Sequence, residues 1–304
     1  MEYRAAARLC APRAQGALLL CAVEIYWGLT TVFMQFALAY TSSATYIMLR
    51  FTIAGGIMLL LFSRRLWANR GKRLLLHGFL LGVLQLVPME CTVLALNYTS
   101  ASNSIFIAQL AFILVPLMEC AARRKLPGRF LILTACGLLI GLAVFTNVSD
   151  LANPGNLICF VAAVFNSLSI LAARRFTRQD SPLLLGAIQV ISCGVLSIPV
   201  WLLCRDGVRW CGEMVLILFL TAAVGSAGGY LVYLIGQSRS EPVTVSFLSL
   251  LQPVFAMVGA ALIRNPQGQT EPVAWHMVAG TAIILSVLVN YIRRTHAPAA
   301  GKAV

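Results

Sequence analysis

The chain has 304 residues, 60% of them hydrophobic and 11% charged, and a mean hydropathy of +0.86. A water-soluble domain carries about 25% charged residues, so a soluble fold is excluded. The formal net charge of +13 would suit nucleic acid, but the basic residues sit in short segments between apolar runs, which is how membrane proteins place them, and a nucleic-acid partner is excluded.

In chain order, ten apolar stretches are predicted as membrane spans: Ala14–Ala39, Ala44–Phe62, Leu74–Leu96, Asn103–Ala122, Phe130–Thr146, Asn156–Ala173, Pro182–Cys204, Met214–Gly236, Val243–Ile263 and Ala274–Ile292. Each is near the ~20 residues that a helix needs to cross a ~30 Å hydrocarbon core. The first follows Arg4, Arg8 and Arg13, is too long for a signal-peptide core and contains Glu24, so it is expected to be a span and not a cleaved leader. Pro88, Pro116, Pro199 and Pro253 fall inside the third, fourth, seventh and ninth spans, where each frees a carbonyl and bends its helix; Pro116 and Pro253 are the expected kink or hinge positions. Gly78/Gly82, Gly137/Gly141 and Gly225/Gly229 have the small-x-x-x-small spacing that lets helices pack closely in lipid.

With the N-terminus inside and the spans alternating, nineteen of the 23 Lys and Arg residues fall in inner segments and three in outer loops, leaving Arg50 alone within a span. That asymmetry sets the expected orientation, with both termini cytoplasmic, in a plasma or inner membrane. Trp67, Trp201, Trp210 and Trp275 lie near span ends, as interfacial rings do, while Trp27 lies mid-span. Six of the nine cysteines lie within apolar runs, where Cys acts as a small hydrophobe, and there is no C-x-x-C pair. No metal or cofactor is expected. Cys204 and Cys211 fall near the outer face, where a disulfide is open to them.

The sequence repeats weakly. Pro116 matches Pro253 at an offset of 137, Trp27-Gly28 matches Phe165-Asn166 at 138, and Arg50-Phe51 matches Gln189-Val190 at 139. Five is odd, so the second set of five spans enters the membrane in the opposite sense. The expected fold is therefore an all-α integral membrane protein of ten transmembrane helices in two inverted five-helix repeats, residues 14–147 and 154–293. Inverted repeats are a recurrent plan of secondary transporters, with substrate near the midplane between the halves.

Trp27-Gly28, Arg50, the stretch Ala95-Leu96-Asn97-Tyr98-Thr99-Ser100-Ala101 and Pro116, with Glu241-Pro242-Val243 and Leu250-Leu251-Gln252-Pro253-Val254-Phe255-Ala256 in the second half, resemble the EamA-type drug/metabolite transporter superfamily over about residues 14–293. The resemblance implies ten helices, two inverted repeats, and export or exchange of small metabolites, amino acids or drugs. Many members carry a Gly-Glu pair after the fourth and ninth helices. Here those places read Arg123-Arg124-Lys125-Leu126-Pro127 and Arg264-Asn265-Pro266.

Ionisable groups inside a membrane are functional candidates by default. Glu24 lies eleven residues past Arg13, or ~16 Å into the membrane at 1.5 Å per residue. It could take a substrate amine or a coupling proton; a glutamate hydrogen-bonded between helices is the structural alternative. Arg50 could grip a carboxylate with two parallel hydrogen bonds, and a structural ion pair with Glu90, at similar depth, is the favoured reading. Glu119, four residues before Arg123, is explained by an ion pair along the helix and left out of the site. Gln85, Gln109, Asn166, Gln189 and Gln252, with Tyr26, Tyr230 and Tyr233, supply neutral polar groups of the kind that line small-molecule pockets, and about half are expected to face the cavity, the rest bridging helices. The candidate substrate or coupling set is Glu24, Trp27, Arg50, Gln85, Glu90, Asn166, Gln189, Tyr230, Tyr233 and Gln252.

These features predict a secondary transporter working by alternating access, most simply in efflux. Its partners would be a small-molecule substrate and the lipid bilayer, with a homodimer left open. No G-x-x-x-x-G-K-[ST] segment is present, so a gradient and not ATP would drive it. A membrane-embedded lipid-modifying enzyme is the alternative. It would need clustered acids or histidines, and His77, His276 and His296 lie apart at span ends or in the tail, so no enzymatic activity is expected. A channel would need a filter loop or a ring of like charges, and neither is present.

Overall fold

Lipid offers no partner to backbone N–H and C=O groups, so a spanning segment must satisfy them within itself. The computed structural model meets that demand with helices throughout. It describes the chain outside residues 1, 100–103, 105–106, 109, 147–152, 205, 265–269, 271–272 and 297–304, with no strand among the described residues. In chain order the helices are α1 (Glu2–Ala37), α2 (Ser43–Ala68), α3 (Lys72–Ala95), α4 (Ala111–Ala122), α5 (Arg129–Thr146), α6 (Pro154–Phe176), α7 (Pro182–Cys204), α8 (Gly212–Ser238), α9 (Pro242–Leu262) and α10 (Trp275–His296).

Seven of these, α1 to α3 and α6 to α9, are long and apolar enough to cross a membrane. The protein is therefore multi-pass. In α4, α5 and α10 the described apolar segments are shorter, and residues 103, 105, 106 and 109 of the predicted fourth span lie outside the described set. Several helices outrun the predicted spans: α2 continues to Ala68, α6 to Phe176 and α10 to His296. Apolarity stops at the first arginine, whereas the hydrogen-bond ladder does not, because a long basic side chain can carry its charge out to the interface.

Local chemistry sets the ends. The Ser42 hydroxyl accepts from the Thr45 amide to cap α2, and the Asn153 side chain accepts from the Gly155 amide ahead of Pro154 to cap α6. α4 ends in a turn where the Arg124 amide donates to Ala121 and the Lys125 amide to Cys120, each at 3.0 Å. That pair of bonds requires a left-handed residue, and Arg124 supplies it at φ 53°.

Two helices are interrupted. Pro253 has no N–H for the carbonyl of Ser249, four residues earlier, and α9 breaks there, between Leu248 and Leu251. The freed Ser249 carbonyl accepts instead from the Gln252 amide at 3.1 Å. Pro116 is buried within α4, whose described helix begins five residues before it. α8 carries ten consecutive residues of π-helix, Phe219–Gly228, between α-helical ends. Nothing in the sequence marks that segment.

Glycines set the packing. A Cβ at Gly78 would come within 2.5 Å of Ile188, one at Gly82 within 2.6 Å of Ser192, one at Gly141 within 2.6 Å of Ile284 and one at Gly229 within 2.8 Å of Trp27. The small residues thus serve helix approach, as the spacing predicts. α2 packs along α7 and α8, α3 along α6 and α7, α5 along α10, and α4 along α9. α1 lies against α8 and α9, while α6 lies against α3 and α4. Adding five to, or subtracting five from, each number turns these pairs into one another or into themselves.

Candidate functional site

A cavity lies where α1, α3, α6, α8 and α9 converge. α1 presents Glu24, Trp27, Thr30 and Met34 to it, and α3 presents Gln85, Pro88, Met89 and Thr92. These follow the three- and four-residue steps that keep side chains on one helix face. α6 adds Ala162 and Asn166, α8 adds Tyr230 and Tyr233, and α9 adds Ser249 and Gln252; Arg50 of α2 and Ala108, ahead of α4, complete the wall. The space between these walls is about 740 Å³, its open side included.

The α1–α9 contact fixes the geometry. A Cβ at Gly28 would sit 2.3 Å from the Gln252 carbonyl, so only glycine lets these backbones meet. With α1 seated there, the Trp27 ring lies 4.9 Å from Tyr230 and 5.0 Å from Tyr233, and its N–H donates to the Gly225 carbonyl at 2.8 Å. The Tyr26 hydroxyl donates to the Leu220 carbonyl at 2.9 Å. Two α1 side chains therefore take up carbonyls of the π segment. The Gln85 amide donates to the Tyr230 hydroxyl at 2.9 Å, which orients one wall of the aromatic group.

A buried acid and a buried base face this space. Glu24 is 1% exposed, and its Oε2 has no hydrogen-bond partner among the described residues. Arg50 is 3% exposed; its Nε donates to the Ser226 hydroxyl at 2.7 Å, and one terminal nitrogen lies 2.7 Å from the Met34 sulfur and 3.8 Å from the Met89 sulfur. The ion pairs among the described residues do not include Arg50. Thioether sulfurs are weak acceptors, so the guanidinium keeps donor capacity toward the cavity.

The cavity is closed at one end. Leu20, Val23, Val115, Ile170, Val245 and Leu248 form a buried apolar cluster with Tyr233. Leu20 and Val23 precede Glu24 on α1, Ile170 follows Asn166 on α6, and Val245 and Leu248 precede Ser249 on α9. The plug therefore lies on the side of the α1 N-terminus. Toward the other side the lining continues to Met34 and Thr92, each three residues from the end of its helix.

Eight of the ten predicted residues line this cavity: Glu24, Trp27, Arg50, Gln85, Asn166, Tyr230, Tyr233 and Gln252. Glu90 and Gln189 do not. The expected Arg50–Glu90 pair is absent, and the reason is rotational. Met89 faces Arg50, and the next residue on a helix points about 100° away; one Glu90 oxygen is buried without a hydrogen-bond partner among the described residues. Gln189 is buried on α7 beside the close contact with Gly82, so it belongs to helix packing. Glu119 pairs with Arg123 at 2.5 Å, as expected. Gln109 and the Cys204 side chain lie outside the described residues, and Cys211 is a free thiol.

The sequence matches the EamA-like transporter family over residues 14–147 and 153–292. The chain belongs to the EamA-like transporter family. It is thus a multi-pass membrane protein of the drug/metabolite transporter superfamily, whose members are transporters. A protein of known crystal structure shares the EamA chain's fold with a TM-score of 0.66, over 93% of this chain and 99% of its own, at 19% identity. No curated protein sequence matches it.

In this EamA protein Thr30, Met34, Met89, Thr92 and Ser249 also line the cavity, beyond the residues expected from the sequence. Steps of three or four from Trp27, Gln85 and Gln252 reach most of them. Nothing local pointed to Ser226, the partner of Arg50, which is 176 residues away in sequence.

Proposed function

We propose that this EamA protein is a secondary transporter that moves a small metabolite, amino acid or drug by alternating access, in the direction of efflux. Ten crossings in two inverted halves would surround the central cavity, with both termini on the cytoplasmic side of a plasma or inner membrane. One observation carries the reading: a cavity lined from both halves, closed at one end by apolar side chains and holding a buried acid and a buried base that do not pair with each other. The exchange pattern of helix contacts supports two equivalent halves that can trade conformations.

The chemistry of the walls favours a zwitterionic or amine-bearing substrate. Glu24 beside the faces of Trp27, Tyr230 and Tyr233 suits an ammonium, through charge and cation–π attraction. The Arg50 fork suits a carboxylate. When no substrate amine is present, a carboxyl without a protein partner can exchange a proton with cavity water, which makes Glu24 the proposed coupling group.

The test is counterflow and proton-driven uptake of labelled amino acids in proteoliposomes. Wild type is expected to show saturable counterflow and accumulation under a proton gradient. Glu24→Gln is expected to keep folded yield but lose gradient-driven accumulation. Accumulation that persists in Glu24→Gln would refute the coupling role, and flux without saturation or exchange would refute a carrier.

A further inference from the structure

We propose a second ligand site: the cleft between the arginine-rich ends of α4 and α6 and the start of α9 binds the phosphate of an anionic phospholipid. Arg123, Arg174, Arg175 and Arg178 line this cleft with Glu119 and Glu241, around about 710 Å³ including its open side. The acids are already engaged. Glu119 pairs with Arg123 at 2.5 Å and Glu241 with Arg174 at 2.7 Å, and Arg174 also donates to the Ser238 carbonyl at 3.2 Å. Arg175 and Arg178 form no ion pair among the described residues. Two uncompensated guanidiniums therefore face one concave space, and the guanidinium fork matches the oxygens of a phosphate.

The surroundings identify a lipid as the source of that phosphate. On α6, Leu157, Val161 and Leu168 are exposed, and Arg175 continues the same face at steps of four and seven residues. From Leu157 to Arg175 is eighteen residues, about 27 Å of helix, close to the ~30 Å of a hydrocarbon core. An apolar stripe turned toward acyl chains thus ends in an arginine at headgroup depth. Basic pockets between helices on the cytoplasmic side are where anionic headgroups bind.

The site is tested by native mass spectrometry of the full chain released from micelles doped with phosphatidylglycerol, with phosphatidylcholine, or with inorganic phosphate. Wild type is expected to retain one phosphatidylglycerol in preference to phosphatidylcholine and to take up no inorganic phosphate. Arg175→Gln with Arg178→Gln should weaken that retention about thirtyfold. Arg64→Gln with Arg65→Gln, which removes the same charge from the exposed end of α2, should leave it unchanged. Equal retention of the two lipids by wild type would overturn the proposal without any variant. So would equal loss in both double variants. Displacement of the lipid by millimolar inorganic phosphate would make free phosphate the ligand and overturn the lipid assignment.

Discussion

At the scale of single residues, two arginines occupy places that other residues would fill at lower cost. Arg124 holds φ 53° in the turn that ends α4. A side chain in that region costs roughly 1 kcal/mol more than glycine. Arg124→Gly is therefore expected to raise the thermal midpoint of the purified protein, by about 1 kcal/mol of stability; a lowered midpoint would mean that the side chain makes compensating contacts. Arg50 is buried against one hydroxyl and two thioethers. Its exchange for Lys keeps the charge but removes the fork. We expect Arg50→Lys to raise KM about tenfold for substrates bearing a carboxylate, the equivalent of one lost charge-assisted hydrogen bond. KM for analogues without a carboxylate, and the thermal midpoint, should change little. An equal rise for both substrate types would make Arg50 a structural residue.

At the scale of helices, close approach decides what the sequence tolerates. A Cβ at Gly28 would fall 2.3 Å from the Gln252 carbonyl and 2.8 Å from the Phe255 Cβ, whereas one at Gly56 would meet nothing within 4 Å. Gly28→Ala is expected to cost about 1–3 kcal/mol, the usual cost of overpacking, and to open the α1–α9 contact that seats Trp27 and Glu24. Gly56→Ala should be neutral or stabilising, because alanine is the better helix former. Melting curves and transport of the two variants decide it. These elements were legible because apolar runs, glycine spacing and proline positions act locally. Pro253 even locates the α9 break, since the carbonyl it leaves free belongs to Ser249, at the break itself. The π segment was not legible. Its carbonyls are taken up by Tyr26 and Trp27 from another helix, nearly 200 residues away in sequence. Glu90 and Gln189 were misread for a related reason: depth in the membrane follows from counting, but facing requires the rotation of the helix, and an error of one residue turns a side chain by about 100°.

At the scale of the whole molecule, two features point to two halves built on one plan. The helix contacts exchange under a shift of five. The cavity draws its walls from both halves and has a buried apolar cluster at one end. What the halves do depends on their being opposed, since two equivalent units give inward and outward openings by trading shapes only when one is upside down relative to the other. The α2–α3 and α7–α8 connections are the equivalent loops of the two halves, and Asn69 and Gly207 are exposed within them. The decisive measurement is labelling of Asn69→Cys and Gly207→Cys in intact cells with a membrane-impermeant maleimide, read against the background of the parent protein. Opposed halves predict that Gly207→Cys labels from outside while Asn69→Cys labels only after the membrane is opened; labelling of both positions from the same side would contradict the inverted arrangement and the carrier built on it.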